Sequence, residues 1–350
     1  MAILYFIILV CALWGIRLRS PADSEAALTA NQTTMIKGIF VLLVFASHIG
    51  QYLALDVSDG ILTHIYLFIR SKLGQLIVVP FLFYSGYGIR CSLEKKGAMY
   101  LRSFPKKRIL KTYLHTALIL VLFWITQLVL GNSYSVGKCI SAFLLWDSFG
   151  NSNWYIFVIL LLYFVTWLSF RWTKRHPGVS ILLCTGFVLI FFLVLYRLKE
   201  SWWYNTMLVY CFGLSYPDLK RTLHRLWDDH AAAWWSFLFG TAAAALVLTL
   251  VHLSPFWDGF RENIRAILLM LFLNCFLTKV RLGNRLLHWL GSHVFECYLL
   301  QRIPMIVFSR LGLPQHSVLL FVLLCAAITL LLAILFRRIF AALDKKLFPA

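Results

Sequence analysis

Apolar residues fall in long uninterrupted runs, separated by short polar stretches rich in Lys and Arg. A helix needs about 20 apolar residues to cross a bilayer, and fewer where it packs round a polar cavity. Eleven runs approach that length: residues 2–16, 35–55, 73–90, 110–131, 153–170, 178–196, 203–216, 231–253, 263–278, 289–310 and 317–337. The first and seventh are short, and the stretch from Cys139 to Trp146 reads as an interfacial or re-entrant piece. The pattern predicts an all-α, polytopic membrane protein of about ten to eleven transmembrane helices in a single bundle.

Composition sharpens this picture. Of 350 residues 61% are hydrophobic and 13% charged, with a mean hydropathy of +0.79, against roughly 45–50% apolar in a soluble domain. No water-soluble core could use so much apolar surface. A net charge of +19 would suit nucleic acid, but the basic residues cluster between apolar runs and do not line one face. They alternate by loop. One side collects Arg17, Arg19 and Lys37, then Arg90, Lys95, Lys96, Arg102, Lys106, Lys107, Arg108 and Lys111, then Arg171, Lys174 and Arg175. It continues with Lys220, Arg221 and Arg225, then Lys279, Arg281 and Arg285, and ends with Arg337, Arg338, Lys345 and Lys346. The other side holds Arg70, Lys72, Lys138, Arg197, Lys199, Arg261, Arg265, Arg302 and Arg310, a division of 24 against 9 among the 33 basic residues. Cytoplasmic loops collect Lys and Arg, so the N-terminus is expected outside and the C-terminus in the cytoplasm.

Trp154, Tyr155, Trp202, Trp203 and Tyr204 fall at expected outer boundaries, where amphipathic rings gather. Eight cysteines without a C-x-x-C pair read as free thiols. The stretch from Met1 to Trp14 lacks a basic leader and a small-residue cleavage site, so it reads as a retained helix. The chain divides into an N-terminal anchor helix with its cytoplasmic connection (1–33), a main transmembrane domain (34–340) and a short basic cytoplasmic tail (341–350).

Four segments carry candidate chemistry. In MIKGIFVLLVFASHIGQY, Lys37 stands at the cytoplasmic mouth and His48 lies eleven residues on, about 16 Å along a helix. An ionisable group that deep is costly and marks a functional site, unless it is a neutral imidazole hydrogen-bonded between helices. In VVPFLFYSGYGIR, Ser85, Gly86 and Gly88 let a helix or a ligand approach the backbone closely. That run opens into Arg90 and the cluster from Lys106 to Lys111, including Lys107 and Arg108. Such charge suits a phosphorylated cytosolic ligand, or else orientation and attraction to anionic lipid. The fifth run opens NSNWYIFVILLLY, and the tenth reads LGSHVFECYLLQRIPM with Glu296 inside it. A carboxylate buried there either orients a catalytic imidazole or bonds a neighbouring helix. No set of His, Cys and carboxylates has metal-binding spacing.

Together and in this order, these segments resemble the acyltransferase family 3 membrane proteins, which include bacterial O-acetyltransferases of cell-surface polysaccharides. The family's first core helix carries a basic residue, ten residues and then histidine, matched by Lys37 and His48. Its next helix ends in a phenylalanine-rich run, a Ser-Gly pair and a basic loop, similar to PFLFYSGYGIR and FPKKRILKTY. A helix start of Trp, an aromatic and an aliphatic residue resembles Trp154, Tyr155 and Ile156, and a late L-G-x-x-S-x-x-x-Y-L-L-H-x-P segment resembles LGSHVFECYLLQRIP. The resemblance runs from about residue 34 to 340. Three positions depart: Lys37 replaces the usual arginine, and Asn153 and Gln301 replace histidines.

The resemblance implies acetyl-CoA or another acyl-CoA as cytoplasmic co-substrate, a carbohydrate hydroxyl as acceptor, residence in the cell (inner or plasma) membrane and no metal. It assigns catalysis to His48, as general base or as an acyl-histidine, and the buried carboxylate of Glu296 is the candidate to orient that imidazole. Donor binding falls to Lys37, Ser85, Arg90, Lys107 and Arg108, and Trp154 and Tyr155 face the acceptor. Two rivals share the hydropathy: a multi-pass transporter or flippase of glycan precursors, and a non-catalytic membrane sensor on the same fold. A transporter needs no Lys37 and His48 on one helix, and no pair of interrupted spans stands at matching places in two halves.

Overall fold

The computed structural model describes residues 1–19, 28–173, 176–228 and 231–349; Lys174 and Arg175, placed above among the basic loops, lie outside the described residues. The described chain is almost wholly helical. In order it forms α1 (Ala2–Leu13), β1 (Arg17–Leu18), α2 (Ala30–Ile49), α3 (Ile61–Leu73), α4 (Val79–Phe104), α5 (Lys111–Val129) and α6 (Val136–Phe143). There follow α7 (Asn153–Trp172), α8 (Pro177–Leu198), α9 (Leu208–Asp228), α10 (Ala231–Leu250), α11 (Pro255–Lys279), β2 (Val280–Arg281), α12 (Arg285–Ser292), α13 (Val294–Leu300), α14 (Arg302–Arg310), α15 (Leu313–His316) and α16 (Val318–Leu347).

Among the described residues six stretches are long and apolar enough to cross a membrane: Ala30–Tyr52, Ile61–Val129, Asn153–Trp172, Pro177–Leu198, Ala231–Leu250 and Val318–Leu347. The second holds α3, α4 and α5 in series. Large aliphatic and aromatic side chains stand exposed along α8, α10 and α16, among them Leu182, Phe239, Leu246, Leu319 and Leu331. In water such a surface would aggregate; against lipid tails it costs nothing. The protein is a multi-pass membrane protein.

Each apolar run of the sequence overlaps at least one helix, though fewer stretches than runs have the length and hydropathy of a span. The tenth, expected as one span over 289–310, is divided into α12, α13 and α14, because His293 leaves helical geometry (φ −109°, ψ 19°) and Gln301 forms a turn. Divided helices at membrane depth occur where the freed backbone lines a cavity, and α13 does so. The basic loop of the FPKKRILKTY segment is not a loop: Pro105–Leu110 is a turn of π-helix joining α4 to α5. The Cys139 to Trp146 piece is the short helix α6, closed by Leu145 in left-handed geometry (φ 63°).

Two crossings set the centre of the bundle. A methyl group on Gly86 would overlap the Tyr210 carbonyl oxygen and one on Gly213 that of Phe83, so α4 and α9 meet backbone to backbone. Gly38 against the Leu287 carbonyl and Gly291 against that of Thr34 do the same for α2 and α12. The N-terminal helix is built in as well. Tyr5 stacks on Tyr66 of α3 at 5.3 Å, Asn284 donates to the Cys11 carbonyl at 2.8 Å, and β1 pairs antiparallel with β2.

Candidate functional site

Three cavities run in series through the bundle. The first, of 870 Å³, opens at the basic end and is lined by residues of α4 beyond its kink at Gly97, by Lys107, Arg108 and Lys111, and by Glu296 and Asp344. The second, of 670 Å³, has seven aromatic rings in its lining and shares Arg108, Thr112 and Phe295 with the first. The third, of 520 Å³, opens at the opposite end and holds His48, Arg302 and four tryptophans, Trp146, Trp154, Trp202 and Trp203. Among the described residues one, Tyr298, lines both the second and the third.

Helix geometry places the residues read from the sequence. Eleven residues make about three turns, so Lys37 and His48 share a face of α2 at different depths; Lys37 lines the middle cavity and His48 the far one. The His48 Nδ1 is buried with no hydrogen-bond partner. That rules out the imidazole bonded at Nδ1 between helices, and a buried polar atom left in this way costs about 1–3 kcal/mol. Its ring lies 6.2 Å from that of Tyr298. Ser85 lines the middle cavity, with its hydroxyl 3.1 Å from that of Tyr163. Gly86 is spent on helix packing, whereas Gly88 faces open space in the middle cavity. Lys107 and Arg108 line the basic-end cavity, and Arg108 Nε donates to the Tyr100 hydroxyl at 3.1 Å.

Three of the residues read from the sequence stand apart from the groups they were expected to join. Arg90 is buried, pairs with Glu94 and, at 2.9 Å, with Asp218 of α9, and lines none of the three cavities. Its guanidinium is committed to joining α4 to α9. Glu296 is not beside His48: it lies in the basic-end cavity, 3.4 Å from Arg337, with Oε2 unpartnered. Two residues before Tyr298 on α13, it points to the other side of the passage. Trp154 lines the far cavity and Tyr155 the middle one, since successive helix positions point about 100° apart.

Several site residues escape sequence reasoning. Arg302 donates to Gln51 and to the Gly150 carbonyl. Lys199 sits 4.1 Å and 4.6 Å from the Trp146 and Trp203 rings, and burial lowers the pKa of its ammonium. Partial burial acts to raise the Asp147 carboxyl, but hydrogen bonds from Lys138 and the Ser148 N–H outweigh it and hold it below the ordinary carboxylate range. At the basic end, Asp344 of α16 bridges Lys111 (2.6 Å) and His115 (3.0 Å). The departing Asn153 is consumed in structure: buried, it donates to the Ala142 and Asp147 carbonyls at 3.0 and 2.5 Å and folds α6 back on α7. Among the described residues no three of His, Cys, Asp and Glu converge as a metal site would require.

A helical membrane bundle holding a basic cavity, an aromatic cavity and a histidine-bearing cavity defines a class of integral-membrane protein with ligand-sized sites inside the bundle. Comparison with protein families matches residues 34–338 to the acyltransferase domain, and the chain belongs to that family, acyltransferase family 3. It is a membrane acyltransferase. No curated protein and no solved structure matches the chain.

Proposed function

We propose that the protein moves an acetyl or similar acyl group from cytoplasmic acyl-CoA to a hydroxyl of an extracytoplasmic or lipid-linked carbohydrate. The observation that carries this reading is the series of cavities entering from opposite ends and meeting at Tyr298, with His48 beyond it. A thioester cannot follow its phosphates through lipid, so donor and acceptor must meet inside the protein. Lys107, Arg108 and Lys37 suit the phosphate-bearing donor by charge, and the middle cavity gives its apolar arm a lining of rings. The far cavity offers tryptophan faces with Asp147, Gln51 and Asn151 at their edges, a lining suited to a sugar's apolar faces and hydroxyl rim. In this reading the chain spans the membrane about ten or eleven times, N-terminus outside, the shorter helices crossing inside the bundle.

His48 acts as general base on the sugar hydroxyl, so that the hydroxyl oxygen attacks the thioester carbon and the thiol leaves. Radiolabelled acetyl transfer from acetyl-CoA in purified membranes tests both reading and residue. His48→Gln, which keeps a hydrogen-bonding side chain but takes no proton at neutral pH, is expected to lower kcat about 10²- to 10⁴-fold with little change in KM for the donor. Near wild-type transfer by that variant would remove the histidine from catalysis, and no transfer by any form would favour a transporter.

A further inference from the structure

We infer that Tyr298 is the partition between the two halves of the passage, holding water away from the acyl thioester until an acceptor hydroxyl is seated; this rests on the acyl-transfer reading above. Three observations converge. Among the described residues no other lines both the aromatic middle cavity and the histidine-bearing far cavity, so its ring stands in the wall between them. The ring is held between Tyr155, 5.1 Å away on the middle-cavity side, and His48, 6.2 Å away on the far side. Its hydroxyl is buried and reaches toward Ser152 without closing a hydrogen bond. A tyrosine with a well-formed hydrogen bond would be a fixed wall, whereas this ring is held mainly by packing and can yield when a ligand presses on it or offers its hydroxyl a better partner than Ser152.

The partition matters because water competes with the sugar. Without the ring, water in the far cavity reaches the donor: its oxygen bonds to the acyl carbon, the C–S bond breaks, and a water proton leaves with the thiol. The products are free carboxylic acid and free thiol, and the acyl group is wasted. Excluding water from reactive intermediates is a recognised task of closed active sites. The same wall also keeps the basic-end cavities from joining the far one as a continuous aqueous pore.

Two measurements on the full-length protein in sealed vesicles test this. The first needs no acyl chemistry. Cys91 lines the middle cavity and is a free thiol. A membrane-impermeant methanethiosulfonate is added on the face of the far cavity, and peptide mass spectrometry reads the label at Cys91. Wild type and Tyr298→Phe should leave Cys91 unlabelled, and Tyr298→Ala should expose it, with Tyr298→Leu as the substitute should the alanine variant misfold. The second measures thiol release from acetyl-CoA without acceptor, expected to rise about tenfold in the opened variants and not in Tyr298→Phe. Cys91 shielded in folded Tyr298→Ala or Tyr298→Leu overturns the partition. Labelling gained without faster thiol release, in a protein that still transfers acyl groups, overturns the water-exclusion role. Labelling gained in a protein with no thioester chemistry in any form leaves the partition standing and removes the acyl-transfer reading.

Discussion

Arg90 and Lys107 carry the same charge and read alike along the chain, but their surroundings separate them. Arg90 is buried between Glu94 and Asp218, and Lys107 lines an open cavity. Removing both acidic partners, Glu94→Gln with Asp218→Asn, leaves a buried guanidinium short of acceptors; because both carboxylates are half exposed, thermal unfolding in detergent should show a loss of about 1–3 kcal/mol. Neutralising Lys107 and Arg108 should instead raise the donor KM with kcat nearly unchanged, because phosphate contacts made equally in ground and transition states act on binding. An unchanged KM in a folded double variant would return those two residues to topology and lipid attraction. The charge at Lys107 was legible in the sequence, but the commitment of Arg90 was not, since its partner Asp218 lies 128 positions away. His48 was legible because a histidine amid apolar residues is rare and costly. Tyr298 was not, for an aromatic residue in an apolar run looks the same whether it faces lipid, core or cavity.

At the scale of elements, hydrophobic runs revealed the helices, and what they hid was interruption. A run of apolar letters reads the same whether its backbone is continuous or turns at His293, since the change costs no polar side chain. Close crossings were half visible. Gly86 and Gly88 read identically in YSGYGIR, yet Gly86 meets the Tyr210 backbone and Gly88 meets open space. Gly38 went unremarked although it seats α2 on α12. Because the obstacle there is backbone and cannot swing aside, Gly38→Ala should cost about 1–3 kcal/mol and lower transfer, by moving the helix that carries Lys37 and His48. Gly88→Ala should leave the melting temperature unchanged or higher while weakening donor binding. Equal melting temperatures for the two variants would contradict the close contact at Gly38.

Over the whole molecule, the division of basic residues between alternate loops makes orientation testable. Accessibility probes at Lys106 and Lys345 should report the cytoplasm and a probe at Asp258 the outside; Lys106 and Asp258 on one face would overturn the order of spans. The fold class and the helix with Lys37 and His48 could be read early because both rest on local patterns. The joining of cavities could not, since it depends on which distant helices adjoin. One long-range joint bears on the order of assembly. Arg19 Nε donates to the carbonyls of Leu277 (2.9 Å) and Val280 (3.3 Å), the latter 261 positions on, beside the pairing of β1 with β2. At about 5–20 residues per second, the seat of α1 is synthesised roughly 13–52 s after α1 itself. The joint that follows α1 is therefore closed late: α1 can rest against α3 in the lipid, but the clasp at Arg19 waits until the segment that accepts it has been made.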